Sequence, residues 1–341
     1  MGPDITPTTW TKAIPPTRDR LQSRILVWIA VPALAYLIFS EFQFFLRNYA
    51  FEHGRPSLFG LLRGHFVPVQ GNYDDRLAQA IVVSAIFALA AWRLRAATAM
   101  AALCGGMICL LISISLNTPY GSSIFLSGLT PLLFLFVLTF EATRLGRERK
   151  ASCGLAESRK GRNAAQIIAN LGVAAFFSSL VGLGVVERCG WFGSIEGDSS
   201  AVRTYFAILY LPMLAALAEA TADTVSSEIG QAFGGTPILL TTLRRVPPGT
   251  DGAITLLGTL AGIAAAAIIA ITGVPALGMT LNECAIAFAA GVAGLFFDSL
   301  LGATLERKGW LGNDLVNFHS TAFAAAVSLI AIRFAQNSLL R

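Results

Sequence analysis

The chain has 341 residues, 55% of them hydrophobic and only 13% charged, with a mean hydropathy of +0.64. Soluble domains carry roughly 25% charged residues, so half of the usual solvating surface is missing. Apolar runs of about 20 residues, enough to span a bilayer, recur along the whole chain. These features exclude a soluble enzyme, a secreted disulfide scaffold and a disordered chain, and they predict an all-α, polytopic transmembrane helical bundle. The formal net charge of +5 reads as membrane topology rather than nucleic-acid binding, because Lys and Arg accumulate in cytoplasmic loops.

The first 24 residues are polar, Pro-rich and basic, and the apolar run behind them is too long for a signal-peptide core. Candidate spans follow at 25–46, 77–92, 96–116, 124–140, 164–186, 205–222, 253–274, 281–303 and 318–334. The second is short, with room to extend upstream through Asp75. Segment 56–69 is apolar but interrupted by Arg63, Gly64 and Pro68, and reads as an interfacial or re-entrant piece. With the N-terminus inside, the basic residues gather on one side. Lys12, Arg18, Arg20 and Arg24 lie in the tail, Arg93 and Arg95 after the second span, and seven more between Arg144 and Arg162. Arg244, Arg245, Arg307 and Lys308 complete the set. This bias predicts nine spans, with the N-terminus cytoplasmic and the C-terminus outside.

Residues 1–120 hold aromatic-rich helices with few polar groups inside spans, whereas from about Phe125 polar residues become regularly placed. The expected organisation is therefore a tail with accessory transmembrane helices over 1–120 and a catalytic-type transmembrane core over 121–341. Cys104, Cys109, Cys153, Cys189 and Cys284 form no CxxC pair, and those inside apolar runs read as buried thiols. His53, His65 and His319 are too scattered for a zinc site.

Three polar segments stand out. The first, 219–262, reads EATADTVSSEIGQAFGGTPILLTTLRRVPPGTDGAITLLGTLAG. Glu219, Asp223 and Ser227 recur at four-residue intervals and share a helical face; Thr224 and Glu228 form a neighbouring pair. An Asp at the centre of a membrane helix costs about 2.5–3.5 kcal/mol, which a divalent cation would offset. Mg²⁺ is commonly held by one or two carboxylates plus substrate phosphates. Downstream, Gly234-Gly235, Thr241-Thr242, Arg244-Arg245 and the turn at 247–252 supply the parts of an anion cradle. Glycine lets backbone N–H groups converge on phosphate oxygens, and Arg offers a bidentate fork. A new helix is expected from Ala253, its N-terminus favouring an anion. The bland alternative is a helix end and a Pro-Gly turn flanked by interfacial arginines.

The second segment, 141–170, carries a basic loop that also suits anionic lipid. Behind Arg162, Asn163, Gln166 and Asn170 recur at three- and four-residue intervals, lining one stripe of an apolar span or bonding neighbouring helices. In the third, 298–317, Asp298, Gly302 and Glu306 fall on one face, and Asn313 and Asn317 share the same spacing. An Asp flanked by Phe296, Phe297, Leu300 and Leu301 needs a partner inside the bundle, either a loop arginine or a shared metal or phosphate. All three segments fall on the side assigned to the cytoplasm. That suits an enzyme taking a soluble nucleotide from one phase and a lipid from the other.

The stretches ADTVSSEIG and TTLRRVPPGTDGAITLLGTLAG, with TRLGRERK, GRNAAQIIANLGVAA, DSLLGATLE and NDLVNF, resemble the integral-membrane family containing plant phytyl-phosphate kinase and the animal transmembrane protein nineteen. The resemblance covers about residues 125–330. More remotely, the layout is similar to dolichol and phytol kinases and to CDP-diacylglycerol synthases. It implies a phosphotransferase that converts an isoprenoid monophosphate, phytyl or prenyl, to its diphosphate, using Mg²⁺ and CTP rather than ATP. By position it implies Asp223, Glu228 and Asp298 as metal ligands, and Asp223 and Arg244 as catalytic groups. Gly249, Thr250, Asp251 and Gly252 would form the phosphate loop, supported by Lys150, Arg162 and Asn317. The expected location is a bacterial inner (cytoplasmic) membrane with the site facing the cytoplasm. A secondary transporter, or a cytidylyltransferase acting on a lipid phosphate, would use similar polar groups.

Overall fold

The computed structural model of the chain describes residues 12–52, 73–114, 125–156, 160–188 and 199–339. The interfacial piece expected at 56–69, together with His53, His65, Arg159 and Cys189, lies outside these residues.

The architecture is a helical bundle. In chain order the helices are α1 (Pro16–Glu52), α2 (Tyr73–Arg93), α3 (Ala99–Ile114), α4 (Leu129–Arg144), α5 (Arg147–Ser152) and α6 (Ala164–Phe177). They continue with α7 (Leu180–Arg188), α8 (Ser199–Phe233), α9 (Leu256–Leu277), α10 (Leu281–Leu301) and α11 (Asn313–Leu339). Between α8 and α9, β1 (Ile238–Leu239) and β2 (Ala253–Ile254) pair antiparallel, Ile238 opposite Ile254 and Leu239 opposite Ala253. The helix expected from Ala253 therefore begins at Leu256. Residues 253–254 belong to the hairpin, and the Thr255 side chain caps the helix by accepting from Gly258 N–H.

Four helices are long and apolar enough to cross a membrane: Pro16–Phe44, Leu256–Leu277, Leu281–Glu306 and Asn313–Ala335. The α6–α7 pair makes a fifth if its two halves form one span. Among the described residues, length and composition thus support four or five crossings against the nine expected. Two of the expected spans, 96–116 and 124–140, fall on α3 and α4, of 16 residues each, short of the ~20 that a hydrocarbon core requires. The span expected at 164–186 is also broken, α7 turning 66° away from α6. The Ser178 and Ser179 hydroxyls donate back to Ala175 and Phe176 carbonyls, diverting the backbone ladder. The freed Leu180 N–H donates to the buried carboxylate of Glu41 in α1, 2.6 Å away.

Helix α8 is the axis of the bundle. Its stretch from Tyr210 to Ala218 is buried nearly all round, as expected of a helix apolar on every face. It packs against α4, α6, α9, α10 and α11. Its 35 residues make it longer than the ~20 of a bilayer span. α1 is the opposite case: Trp28, Ile29, Tyr36 and Phe39 face outward, as apolar side chains of a membrane-spanning helix do. The N-terminal segment is strapped onto the turn before α11. Gln22 bonds Trp310 carbonyl and Gly312 N–H, and the Ser23 hydroxyl donates to Asp314.

Candidate functional site

The three polar segments meet at one cavity of about 450 Å³. The C-terminal part of α8 contributes Asp223 and Glu228, and the hairpin loop contributes Gly249, Thr250, Asp251 and Gly252. α10 brings Asp298, α11 brings Asn317, and the start of α6 brings Arg162. Residues far apart in the sequence, from Arg162 to Asn317, therefore line a single space.

Each wall has a local cause. Asn163 and Gln166 form a reciprocal capping box at the start of α6: each side chain bonds the other's backbone N–H, at 3.0 and 2.8 Å. Asn170 Nδ2 donates to the Gln166 carbonyl. Part of the amide stripe thus fixes where α6 begins, which places Arg162 immediately before the helix. Its guanidinium donates to the Thr224 hydroxyl at 3.3 Å and lies in electrostatic range of Asp223. On the opposite wall, Gly252 has a left-handed backbone, φ 70°, and lies against Ala303 N and Ser299 O, where a Cβ would not fit. The neighbouring chain is a short π-helical turn, Gly302–Glu306, a feature frequent at functional sites. The Thr250 hydroxyl closes the loop on the Pro247 carbonyl at 2.7 Å.

The carboxylates set the electrostatics. Asp298 is in range of Asp223, Glu219 and Glu306. Glu219 lies behind the cavity wall, 1% exposed, in space left by Gly294, and among the described residues neither of its oxygens has a hydrogen-bond partner. Ser320, within reach of Glu219, instead directs its hydroxyl to Asp298 and the Asn317 carbonyl. A buried carboxyl without a donor is accommodated either by taking up a proton or by a nearby cation. Among the described residues, no group of three or more His, Cys, Asp or Glu is placed to hold a metal ion. The two carboxylates on the cavity wall, Asp223 and Asp298, match in number the one or two that commonly hold Mg²⁺ when phosphates and water supply its other ligands.

Two expected site residues lie elsewhere. Lys150 is 1% exposed and is not part of the cavity wall. Its Nζ is bonded to the Glu228 carboxylate and to the Ala142 and Thr143 carbonyls, locking the C-terminal end of α4 to α8. Glu228 is therefore engaged as the counter-ion of a buried lysine. Arg244 is exposed on the hairpin and does not line the cavity; its own carbonyl accepts from Leu239 N–H. Conversely, Lys12 and Cys153 line the cavity. They come from a tail and a loop without periodicity, where the sequence offered no signal, and Lys12 sits 3.6 Å from Glu306.

Residues 82–325 match the sequence profile described as Integral membrane protein DUF92. The chain belongs to the DUF92 family. The DUF92 match starts inside α2, so it takes in α3 as well as most of the region of the sequence resemblance. Similar proteins include Protein VTE6, chloroplastic, of Arabidopsis thaliana, 32% identical over 218 residues, which are 63% of this chain and 60% of that protein. An uncharacterized membrane protein of Synechocystis is 30% identical over 59% of this chain and 72% of its own length. A further uncharacterized membrane protein, from Methanocaldococcus jannaschii, is 33% identical over 58% of this chain and 74% of its own length. The chain thus spans less than two thirds of VTE6. No solved structure matches this DUF92 chain.

Proposed function

We propose that this chain is a membrane lipid kinase that transfers the γ-phosphoryl group of a nucleotide, CTP in preference to ATP, to an isoprenoid monophosphate. The observation that carries the reading is the convergence of Asp223, Asp298, Arg162 and the 249–252 loop on one cavity of the helical bundle. In phosphoryl transfer the protein mainly positions groups and stabilises charge, and these residue types suit that role. The resemblance of the sequence motifs to the family containing plant phytyl-phosphate kinase supports the acceptor class.

In this reading a phosphate oxygen of the acceptor attacks the γ-phosphorus in line. The bond to the β,γ-bridging oxygen breaks, and the nucleoside diphosphate leaves with that oxygen, giving the lipid diphosphate. The backbone of residues 249–252 binds the donor phosphates, and Arg162 orients the acceptor phosphate and screens its charge. Mg²⁺, held by Asp223 and Asp298, would supply charge neutralisation on the transferring phosphates. In this reading the site faces the cytoplasm of a bacterial inner membrane, and the basic loops of the sequence support that side.

The test is purified protein with Mg²⁺, labelled CTP or ATP and a panel of prenyl monophosphates. Lipid diphosphate with released CDP or ADP supports the kinase. CDP-lipid with pyrophosphate replaces it by the cytidylyltransferase, and solute uptake in liposomes without nucleotide turnover replaces it by the transporter.

A further inference from the structure

A second cavity, of about 500 Å³, lies beside the polar one and shares two residues with it, Arg162 and Asn170. Its body is apolar. α2, α3 and α4 supply Phe87, Ala101, Gly105, Leu132 and Phe136, with Phe87 and Phe136 in edge-to-face contact at 5.1 Å. Its other end is basic: Arg95, Arg144, Arg147 and Arg162 all line it, and no carboxylate does so among the described residues.

The basic end is held in place. Arg162 N–H donates to the Ala96 carbonyl and Thr98 N–H to the Arg162 carbonyl, each at 2.9 Å, so the loops before α3 and α6 are stitched together. Gly161, with φ 79°, sits against the Arg95 and Ala96 backbone, where a Cβ would not fit. Arg95 itself has a left-handed backbone, φ 55°, held by this pairing. The Arg144 guanidinium stacks 3.9 Å above the Phe140 ring. It also donates to the Leu94 carbonyl at 3.3 Å. A cavity with one apolar end and four arginines at the other matches an amphiphile with a hydrocarbon tail and an anionic head. Its volume is that of one small-molecule ligand, within the ~300–1,000 Å³ of such sites, which suits a single chain rather than the paired chains of a glycerolipid.

We propose that this cavity is the acceptor site: a single-chain isoprenoid monophosphate lies with its tail between α2, α3, α4 and α6 and its phosphate against Arg162, facing the nucleotide cavity. The proposal rests on the kinase reading for the direction of transfer but makes its own claim about binding. A tail leaving the bilayer gains little hydrophobic free energy, since lipid chains are as apolar as the cavity wall. Selection therefore comes from the arginines and from the shape of the walls, and filling the cavity changes which acceptor is used. Gly105 offers the place. A Cβ there meets only Ile167 and Phe87 side chains, each at 3.9 Å, and replacing a mid-helix glycine favours the helix.

The experiment uses the full chain in detergent and a prenyl monophosphate with a photoreactive diazirine at the far end of its tail, the labelled residues being mapped by mass spectrometry. Labelling is expected on α2, α3 and α4 around Phe87 and Leu132, reduced at least tenfold by Gly105→Leu. Excess geranylgeranyl monophosphate should compete; geranylgeraniol and dioleoyl phosphatidate should not. Gly105→Leu should also lower the ratio of turnover on C20 to C5 acceptors at least tenfold. Labels on lipid-facing residues that ignore Gly105→Leu, or equal competition by phosphatidate, overturn the proposal. Labelling in the cavity without transfer from any nucleotide retains this site and refutes the kinase. Transfer with labels elsewhere does the reverse.

Discussion

The two cavities on either side of Arg162 are close in volume and opposite in chemistry. One is walled by carboxylates, amides and a glycine loop on α8, α10, α11 and the hairpin; the other by aromatic and aliphatic side chains on α2, α3 and α4. α8 serves both, presenting Ala220 to the apolar side and Asp223 and Thr224 to the polar side one turn later. In the proposed reading, the contrast lets one protein bring reactants from two phases together. A water-soluble anion needs fixed donors and a counter-charge, whereas a lipid tail needs only a shaped space with a charged end. The shared residues are where the two reactants would meet.

The comparison can be broken in graded steps. Asp223→Asn removes the central charge of the polar cavity and is expected to lower transfer to lipid by roughly 10³-fold, at unchanged expression, in the labelled-nucleotide assay. Full activity in that variant removes the metal role. Lys150→Met leaves Glu228 as an unpaired carboxylate within the bundle and should destabilise the protein by about 3 kcal/mol. Thermal unfolding in detergent measures it, and the double change Lys150→Met with Glu228→Leu should recover most of the loss. Arg162→Ala should lower kcat/KM for the acceptor by about 10²-fold, and Arg162→Lys should fail to restore it, because a point charge does not reproduce the planar fork. Equal rescue by Lys would reduce Arg162 to a general positive charge. Arg244→Ala, on the exposed hairpin, should change kcat by less than about threefold, the usual scale of a surface substitution. A larger loss would show that the hairpin closes over the nucleotide and that Arg244 acts there as the sequence resemblance implies.

The polar site was legible because membrane segments make polarity conspicuous. Carboxylates at four-residue spacing in an apolar helix, a PPGTDG turn and a lone Asp among Phe and Leu mark themselves, and the structure gathers them. The apolar cavity was not legible. Phe87, Ala101 and Leu132 look like any core residues, and whether such residues fill a space or surround one depends on packing between distant helices. For the same reason residues 1–120 read as accessory, although α2 and α3 form one wall of that cavity. The Lys150–Glu228 pair joins positions 78 apart and carries no periodic signal. The break at Ser178 and Ser179 likewise becomes visible only with Glu41 of α1 receiving the freed N–H.

The central claim is that the two cavities act as the two halves of one site. It is tested most directly by an experimental density map of the protein with phytyl monophosphate and a non-hydrolysable nucleotide. Tail density is expected between α2, α3, α4 and α6, acceptor phosphate at Arg162, and nucleotide phosphates at residues 249–252 beside Asp223. Tail density on the outer surface of the bundle, or nucleotide phosphates bound away from Asp223 and the hairpin loop, would contradict it.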